Sequence, residues 1–210
     1  MAIRGIRKAT DATTIVPANE ASWDDLKTIF GTRGEAAICQ CQRYKLQARE
    51  AFKHFPPEVR ADRLRQQTNC GRRKAATTTG LIAYRDGAPV GWCAIEPRPA
   101  YIGLLRVYRV PWEGRDEDKT DDSVWAATCF FTRAGYRRQG VSRALAHAAI
   151  DFARERGARA LEGYPMVIRK GQEISWGELH VGSRSIFSAA GFKEVNRPTP
   201  RRSVMRIDFK

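Results

Sequence analysis

The stretch Arg137-Arg138-Gln139-Gly140-Val141-Ser142 has the composition of an anion cradle. An apolar run, Val124 to Phe131, leads into it through a turn at Arg133 to Tyr136, and an amphipathic segment follows. At the start of a helix, backbone N–H groups lack intrahelical acceptors and meet the positive end of the macrodipole, about half a unit charge. Together these features bind anions. Gly140 lets the backbone approach a phosphate where a Cβ would obstruct it. Arg137, Arg138 and Arg143 add guanidinium groups that pair with phosphate oxygens. The spacing is not G-x-G-x-x-G, and the Lys-Ser/Thr of a P-loop is missing, so both of those nucleotide sites are disfavoured. The plainer alternative is an ordinary strand-to-helix turn with a basic helix start. Cys39 and Cys41 form a C-x-C pair, but His54, His147 and His180 stand at no metal-ligand spacing to it, so no metal centre is expected.

The elements that must position this loop are legible on either side of it. Val124 to Phe131 is apolar nearly throughout, as a strand buried on both faces should be. Gln139 to Arg156 carries Val141, Leu145, Ala148 or Ala149, and Phe152 on one helical stripe, with Gly157 placed to end it. Ala158 to Tyr164 reads as the next strand. Upstream, Gly80 to Arg85 and Pro89 to Ile95 flank Asp86-Gly87, the signal of a β-hairpin. Downstream, Ser183 to Ala190 reads as a short helix ended by Gly191, with Phe192 packing back on Phe187. Lys193 to Val195 and Val204 to Phe209 close the chain as strands. The first third is helical: Ala21 to Phe30 with Ser22 as N-cap, and Pro57 to Gln67 opening on prolines. Residues 33–50 show no clear pattern. The acidic cluster Asp116, Glu117, Asp118, Asp121 and Asp122 reads as a solvated loop. The sum is a mixed α/β domain around a central sheet.

Composition bounds the partners. The 210 residues fit one domain, and 42% hydrophobic residues are enough for a full core. Lys plus Arg outnumber Asp plus Glu by 37 to 23, a formal charge of +14 that attracts anions. No nucleic-acid motif accompanies that charge, so nucleic acid is an unlikely partner. No apolar run is long enough to span a membrane, and the N-terminus lacks the apolar block of a secretory signal. The chain reads as cytoplasmic and as a monomer or homodimer. Five cysteines, with Cys93 and Cys129 inside apolar strands, argue against a disulfide framework.

Residues 80–210 resemble the GNAT superfamily of acetyl-CoA-dependent acyltransferases. The family signature after the fourth strand is Arg/Gln-x-x-Gly-x-Gly/Ala, and here stands Arg137-x-x-Gly140-x-Ser142. CFFTRAGYRRQGVSRALAHAAIDFAR looks like the family's strand, loop and helix, SIFSAAGFKEV like its penultimate helix, and YRDGAPVGWCAIEPR like its second and third strands. A bacterial group within the superfamily also shares Cys39-Gln40-Cys41, Val124 to Phe131, Glu162-Gly-Tyr-Pro165 and Arg201-Arg202. The resemblance implies one GNAT domain over residues 1–210. About residues 20–75 would form a helical cover on the acceptor side, and residues 80–210 an acyl-CoA-binding core with splayed central strands.

The same resemblance implies acetyl-CoA, or another acyl-CoA, as cofactor and a small-molecule or protein amine as acceptor. Phe130, Phe131 and Thr132 would pair with the pantetheine arm. Arg137, Arg138, Gln139, Gly140, Val141, Ser142 and Arg143 would hold the pyrophosphate. A backbone N–H on this strand would polarise the thioester carbonyl. An ammonium acceptor must lose a proton, so a general base is expected. Glu162 is the first candidate, Glu96 the second, and His180 the third, beside Glu178. Tyr44, Phe52 and Phe55 would line the acceptor side. One position departs from the family: Ser188 stands where a general-acid tyrosine is often found, with Tyr164 as a substitute. That departure keeps open a catalytically silent acyl-CoA sensor, beside acyltransfer to an RNA-linked or protein amine.

Overall fold

The computed structural model describes residues 13–168, 171 and 174–210. Seven strands form one sheet in the order β1-β2-β3-β4-β5-β7-β6. They are β1 (Thr13–Pro17), β2 (Leu81–Arg85), β3 (Ala88–Pro97), β4 (Val124–Thr132), β5 (Ala160–Gly163), β6 (Lys193–Thr199) and β7 (Arg202–Asp208). Among these seven strands only β4 and β5 pair in parallel, and α5 (Val141–Glu155) makes the crossover between them. The expected hairpin forms: Asp86 (φ 50°) and Gly87 (φ 76°) are both left-handed, as a tight turn between twisted strands requires.

Helix α1 (Trp23–Phe30) starts as its sequence dictates. Ser22 Oγ accepts from the Asp25 amide, and the Asp25 carboxylate accepts from the Ser22 amide. Helix α2 (Gly34–Cys39) lies in the stretch that shows no clear pattern, and α3 (Pro57–Thr68) opens on its prolines. One face of the sheet carries α5, whose Val141, Leu145, Ala149 and Phe152 pack on Cys93, Ile95, Trp125 and Phe130. The other face carries α1 and Leu64 of α3 over Ile82, Trp92 and Ala94. A third apolar cluster joins Tyr44 and Tyr101 to Tyr164, Met166 and Val181. Among the described residues, no helix is long and apolar enough to cross a membrane.

Two expectations change. The stretch after Pro97 holds a short helix, α4 (Ile102–Val107). The acidic cluster is not simply solvated: Glu117 pairs with Arg98, Arg115 and Arg206, and Asp121 with Arg159. The last two helices are α6 (Trp176–Leu179) and α7 (Arg184–Ala189). Beyond α7, the Phe192 amide donates to Phe187 O and the two rings meet edge to face at 5.0 Å.

The feature that makes room for a site lies in β4. Its register on β3 slips between Ala94↔Cys129 and Ile95↔Ala127, so Thr128 is an extra residue. Such a bulge bends its strand and ends regular pairing. Pairing with β5 stops at Ala127↔Gly163, while β4 runs on to Thr132. The far half of β4 therefore parts from β5.

Candidate active site

Gly140 is the residue before α5 and sits at φ 85°, a left-handed conformation that glycine adopts without strain. A Cβ built there would meet no protein atom within 4 Å, so the space above its backbone is open. Around that space the loop is braced from outside. Arg85 Nη1 donates to Gln139 Oε1 at 2.5 Å, and Gln139 Nε2 to Gly135 O at 3.0 Å. Ser142 Oγ lies 3.1 Å from Thr132 Oγ1, tying the helix start to the end of β4. Arg137 Nε reaches Thr132 O at 3.4 Å, and Arg138 and Arg143 are exposed beside it. Val141 turns its side chain into the core. The geometry is an open cradle of helix-start amides rimmed by guanidinium groups, which suits a phosphate.

The cradle opens into a cavity of about 370 Å3. Phe130, Thr132, Arg137 and Ser142 form one wall, and Leu179, Gly182, Ser183 and Ile186 the other. The second wall fills the splay as a strand would. The Phe130 amide donates to His180 O at 2.6 Å, and the Met166 amide to Gly182 O at 3.0 Å. The Phe130 amide is thus engaged by the protein itself. Phe131 points to the opposite face, where it stacks on Phe30.

On that opposite face a narrow slot is lined by Phe30, Cys39, Cys41, Arg43, Cys129, Phe131 and His180. His180 Nδ1 lies 2.5 Å from Gly177 O, and a carbonyl oxygen only accepts, so Nδ1 carries the hydrogen. Nε2 is left as the acceptor, 3.2 Å from the Tyr44 hydroxyl. Burial drives His180 down to about 4, outweighing the Gly177 bond, and the nearby Arg43 and Arg202 charges push the same way. The ring is neutral at ordinary pH.

The two carboxylate candidates sit elsewhere. Glu162 has no exposed surface. Its Oε1 accepts from Arg115 Nη2 at 2.5 Å and Arg206 Nη1 at 2.9 Å, and its Oε2 from Arg98 Nη1 at 3.3 Å and Tyr164 Oη at 2.9 Å. Burial pushes its pKa up, but the bond and charge of Arg115 and the charge of Arg98 reverse that and leave it lowered. Both oxygens are taken up by these donors, and the carboxylate lines neither cavity. Tyr164, the candidate substitute acid, is buried in the same cluster, and Ser188 is exposed on α7. Glu96 ends β3 in an ion pair with Lys45. Glu178 caps α6 through Ser175 and pairs with Arg201 at 2.7 Å.

Sequence reasoning missed the Tyr44–His180 pair, 136 residues apart in the chain, and the apolar wall from Leu179 to Ile186. It placed Tyr44 on the cover side without its partner. Phe55 stacks under Arg63, with the guanidinium carbon 4.2 Å from the ring centre.

Residues 42–164 match the pattern of the acetyltransferase (GNAT) family. No curated protein sequence matches the chain. Solved structures of similar fold include a GCN5-related N-acetyltransferase from Kribbella flavida, 18% identical with a TM-score of 0.51, over 94% of this chain and 98% of that one. An N-acetyltransferase from Staphylococcus aureus Mu50 is 14% identical with a TM-score of 0.51, over 95% and 99%. A putative phosphinothricin N-acetyltransferase is 14% identical with a TM-score of 0.53, over 95% and 99%. At such identities these structures bear on the fold alone. The family pattern covers more than half of the chain, so the protein belongs to the GNAT acetyltransferase family and is an N-acetyltransferase whose cofactor is acetyl-CoA.

Proposed function

We propose that the chain acetylates a primary amine by direct attack, with acetyl-CoA in the cradle and cavity beside Gly140 and the amine in the slot beside His180. One observation carries this: the open helix-start cradle and the parted half of β4 line a single cavity, through Arg137, Ser142, Phe130 and Thr132. The residues fit the group. Helix-start amides and Arg137, Arg138 and Arg143 suit a pyrophosphate, and the wall of Ile186, Leu179 and Phe130 suits an apolar arm. Bound there, acetyl-CoA supplies an activated acetyl thioester.

The chain's own residues then do three things. The cradle fixes the donor and so lowers the entropy cost of meeting the amine. Phe30 and Phe131 keep the slot apolar, which favours the neutral amine over the ammonium ion. His180 Nε2 takes the amine's proton once the Tyr44 hydroxyl turns away from it. His180 is preferred to Glu162 and Glu96 because it alone of the three lines the slot. On this reading α1, α2 and the segment around Tyr44 form the acceptor-side cover.

A second reading, acetyl-CoA binding without turnover, draws on the Phe130 amide being engaged by His180 O and on the absence of a tyrosine at Ser188. Calorimetry with acetyl-CoA and thiol release with a panel of amines separate the two. Binding with turnover supports transfer, and binding without any turnover overturns it. In Gly140→Val the new side chain fills the cradle and strains a φ of 85°. Acetyl-CoA affinity should fall at least a hundredfold, about 2.7 kcal/mol, while the circular dichroism spectrum is kept. Unchanged affinity would remove the cradle from the site.

A further inference from the structure

Beside the His180 slot lies a larger cavity of about 480 Å3. Glu35, Cys39 and Arg43 line both, so the two lie side by side. Four arginines line the larger one: Arg43, Arg49, Arg60 and Arg106. Its carboxylates do not balance them. Glu50 is closed off by Arg63, whose two nitrogens donate to it at 2.8 and 2.9 Å. Glu35 is largely exposed and lies 4.0 Å from Arg43, the outer limit of an ion pair.

Arg60 is the informative residue. It is 4% exposed, yet no carboxylate pairs with it among the described residues. Its Nη1 donates to Phe52 O at 3.3 Å, and its guanidinium carbon sits 4.6 Å from the centre of the Phe52 ring. Its Nε is buried with no acceptor, and so is the Nε of Arg43. A buried guanidinium without a counter-anion is destabilising, and buried donors in native proteins find partners. Arg60 is such a group, and Arg43, half-buried with a distant Glu35, adds a second unpartnered Nε to the same cavity, so both are donors waiting for an anion. Arg is the side chain suited to it, since its fork matches both carboxylate and phosphate. Leu46, Phe52 and Tyr108 give the same cavity an apolar wall.

We infer that this cavity is the acceptor's anion subsite: the amine substrate also bears a carboxylate or phosphate, held by Arg60 and Arg43, and an apolar body against Phe52 and Tyr108. The inference rests on the proposed amine transfer at His180. With the two cavities side by side, one small molecule bound across their shared wall would place its anion at the arginines and its amine toward Nε2. The formal charge of +14 adds a long-range attraction for such a substrate.

Matched pairs of amines test it: phenylalanine against phenylalaninamide, and phosphoethanolamine against ethanolamine. The anionic member of at least one pair should have a kcat/KM ten or more times higher, and the preferred pair tells carboxylate from phosphate. Arg60→Gln should raise the KM of that amine at least tenfold and leave the KM of acetyl-CoA and of the neutral amine unchanged. Because Arg60 is buried, the double variant Arg49→Gln with Arg106→Gln, both exposed positions, should give a smaller change in the same direction. Equal rates within both pairs, or variants that alter both members alike, overturn the inference while amine transfer stands. Calorimetry with N-acetylphenylalanine and with inorganic phosphate decides the subsite independently of turnover. Binding of either to the parent and its loss in Arg60→Gln supports the subsite; binding of neither refutes it. Failure of every amine to react, with acetyl-CoA bound, sinks the transfer reading instead.

Discussion

Replacing Glu162 by glutamine removes one negative charge from a buried cluster and keeps the side chain's size. The carboxylate faces Arg115 at 2.5 Å, Arg206 at 2.9 Å and Arg98 at 3.3 Å. At an effective dielectric of about 20, one such contact near 3 Å is worth on the order of 5 kcal/mol before desolvation. Burying the carboxylate and its partners cancels much of that sum, and removing one partner of a buried pair costs a net ~3–5 kcal/mol. Glutamine makes the loss certain, because its NH2 points a donor at guanidinium groups that already only donate. For a chain of this size the melting temperature should drop by roughly 6–20 °C.

The pH dependence has a fixed sign. The folded pKa of Glu162 is lowered by Arg115 and Arg98 against the push of burial. Its contribution is therefore fully present above the ordinary glutamate value and lost as pH falls through the lowered one. Glu162→Gln should flatten the acid limb of the stability curve. Differential scanning calorimetry between pH 3 and 8 measures both effects, and thiol release at 20 °C measures turnover per folded molecule. The expected result is a less stable enzyme with near-parental turnover. A melting point within about 2 °C of the parent's, with kcat down a hundredfold or more, would refute the structural role and restore Glu162 as the base.

Three further substitutions have outcomes that follow from the geometry. His180→Gln keeps the side chain near the slot but replaces the basic imidazole with a non-basic amide, so kcat should fall about 10²–10⁴-fold with acetyl-CoA affinity unchanged in calorimetry. Since burial holds His180 at about 4, its neutral form stabilises the fold fully above about pH 6.5 and that contribution is lost as pH falls through about 4. The His180→Gln melting curve should lack this part of the acid dependence, roughly 3 kcal/mol at its largest. Glu96→Gln breaks the ion pair with Lys45, which is only partly exposed, and should lower the melting temperature by a few degrees without changing the pH–rate profile. Gly163→Ala would drive a Cβ into the Phe187 ring, and should cost about 1–3 kcal/mol in urea unfolding.

Local chemistry was readable in the sequence. The Ser22–Asp25 capping box, the Asp86-Gly87 hairpin, the apolar stripe of α5 and the Phe187–Phe192 stop each depend on residues a few positions apart. Elements without such a code stayed hidden. Helix α4 has six residues, too few for a period, and opens beside Pro97 and Pro99. Strand β1 is short, ends at Pro17 and, among the described residues, pairs with β2 alone, as an edge strand can. The site divides along the same line. The turn at Gly140 and the helix start after it are one contiguous stretch, and that local geometry was legible. Glu162 was readable as a strand residue, but the arginines that claim it come from positions 98, 115 and 206. Nothing in a linear sequence joins His180 to Tyr44 or marks Thr128 as a bulge.

The period of a β-strand explains why both cavities converge on β4. Successive side chains point to opposite faces, so Phe130 and Thr132 line the cavity at the α5 end while Cys129 and Phe131 line the slot under α1 and α2. Here the bulge at Thr128 ends the pairing with β5, and the chain from His180 to Gly182 takes the vacated place. That replacement is sequence-specific where a strand would be generic: its carbonyl holds the Phe130 amide on one side, and its ring faces the slot on the other. On the proposed reading, a donor and an acceptor held on opposite faces meet only at this edge. The residue that fills the edge is then also the one placed to take the proton.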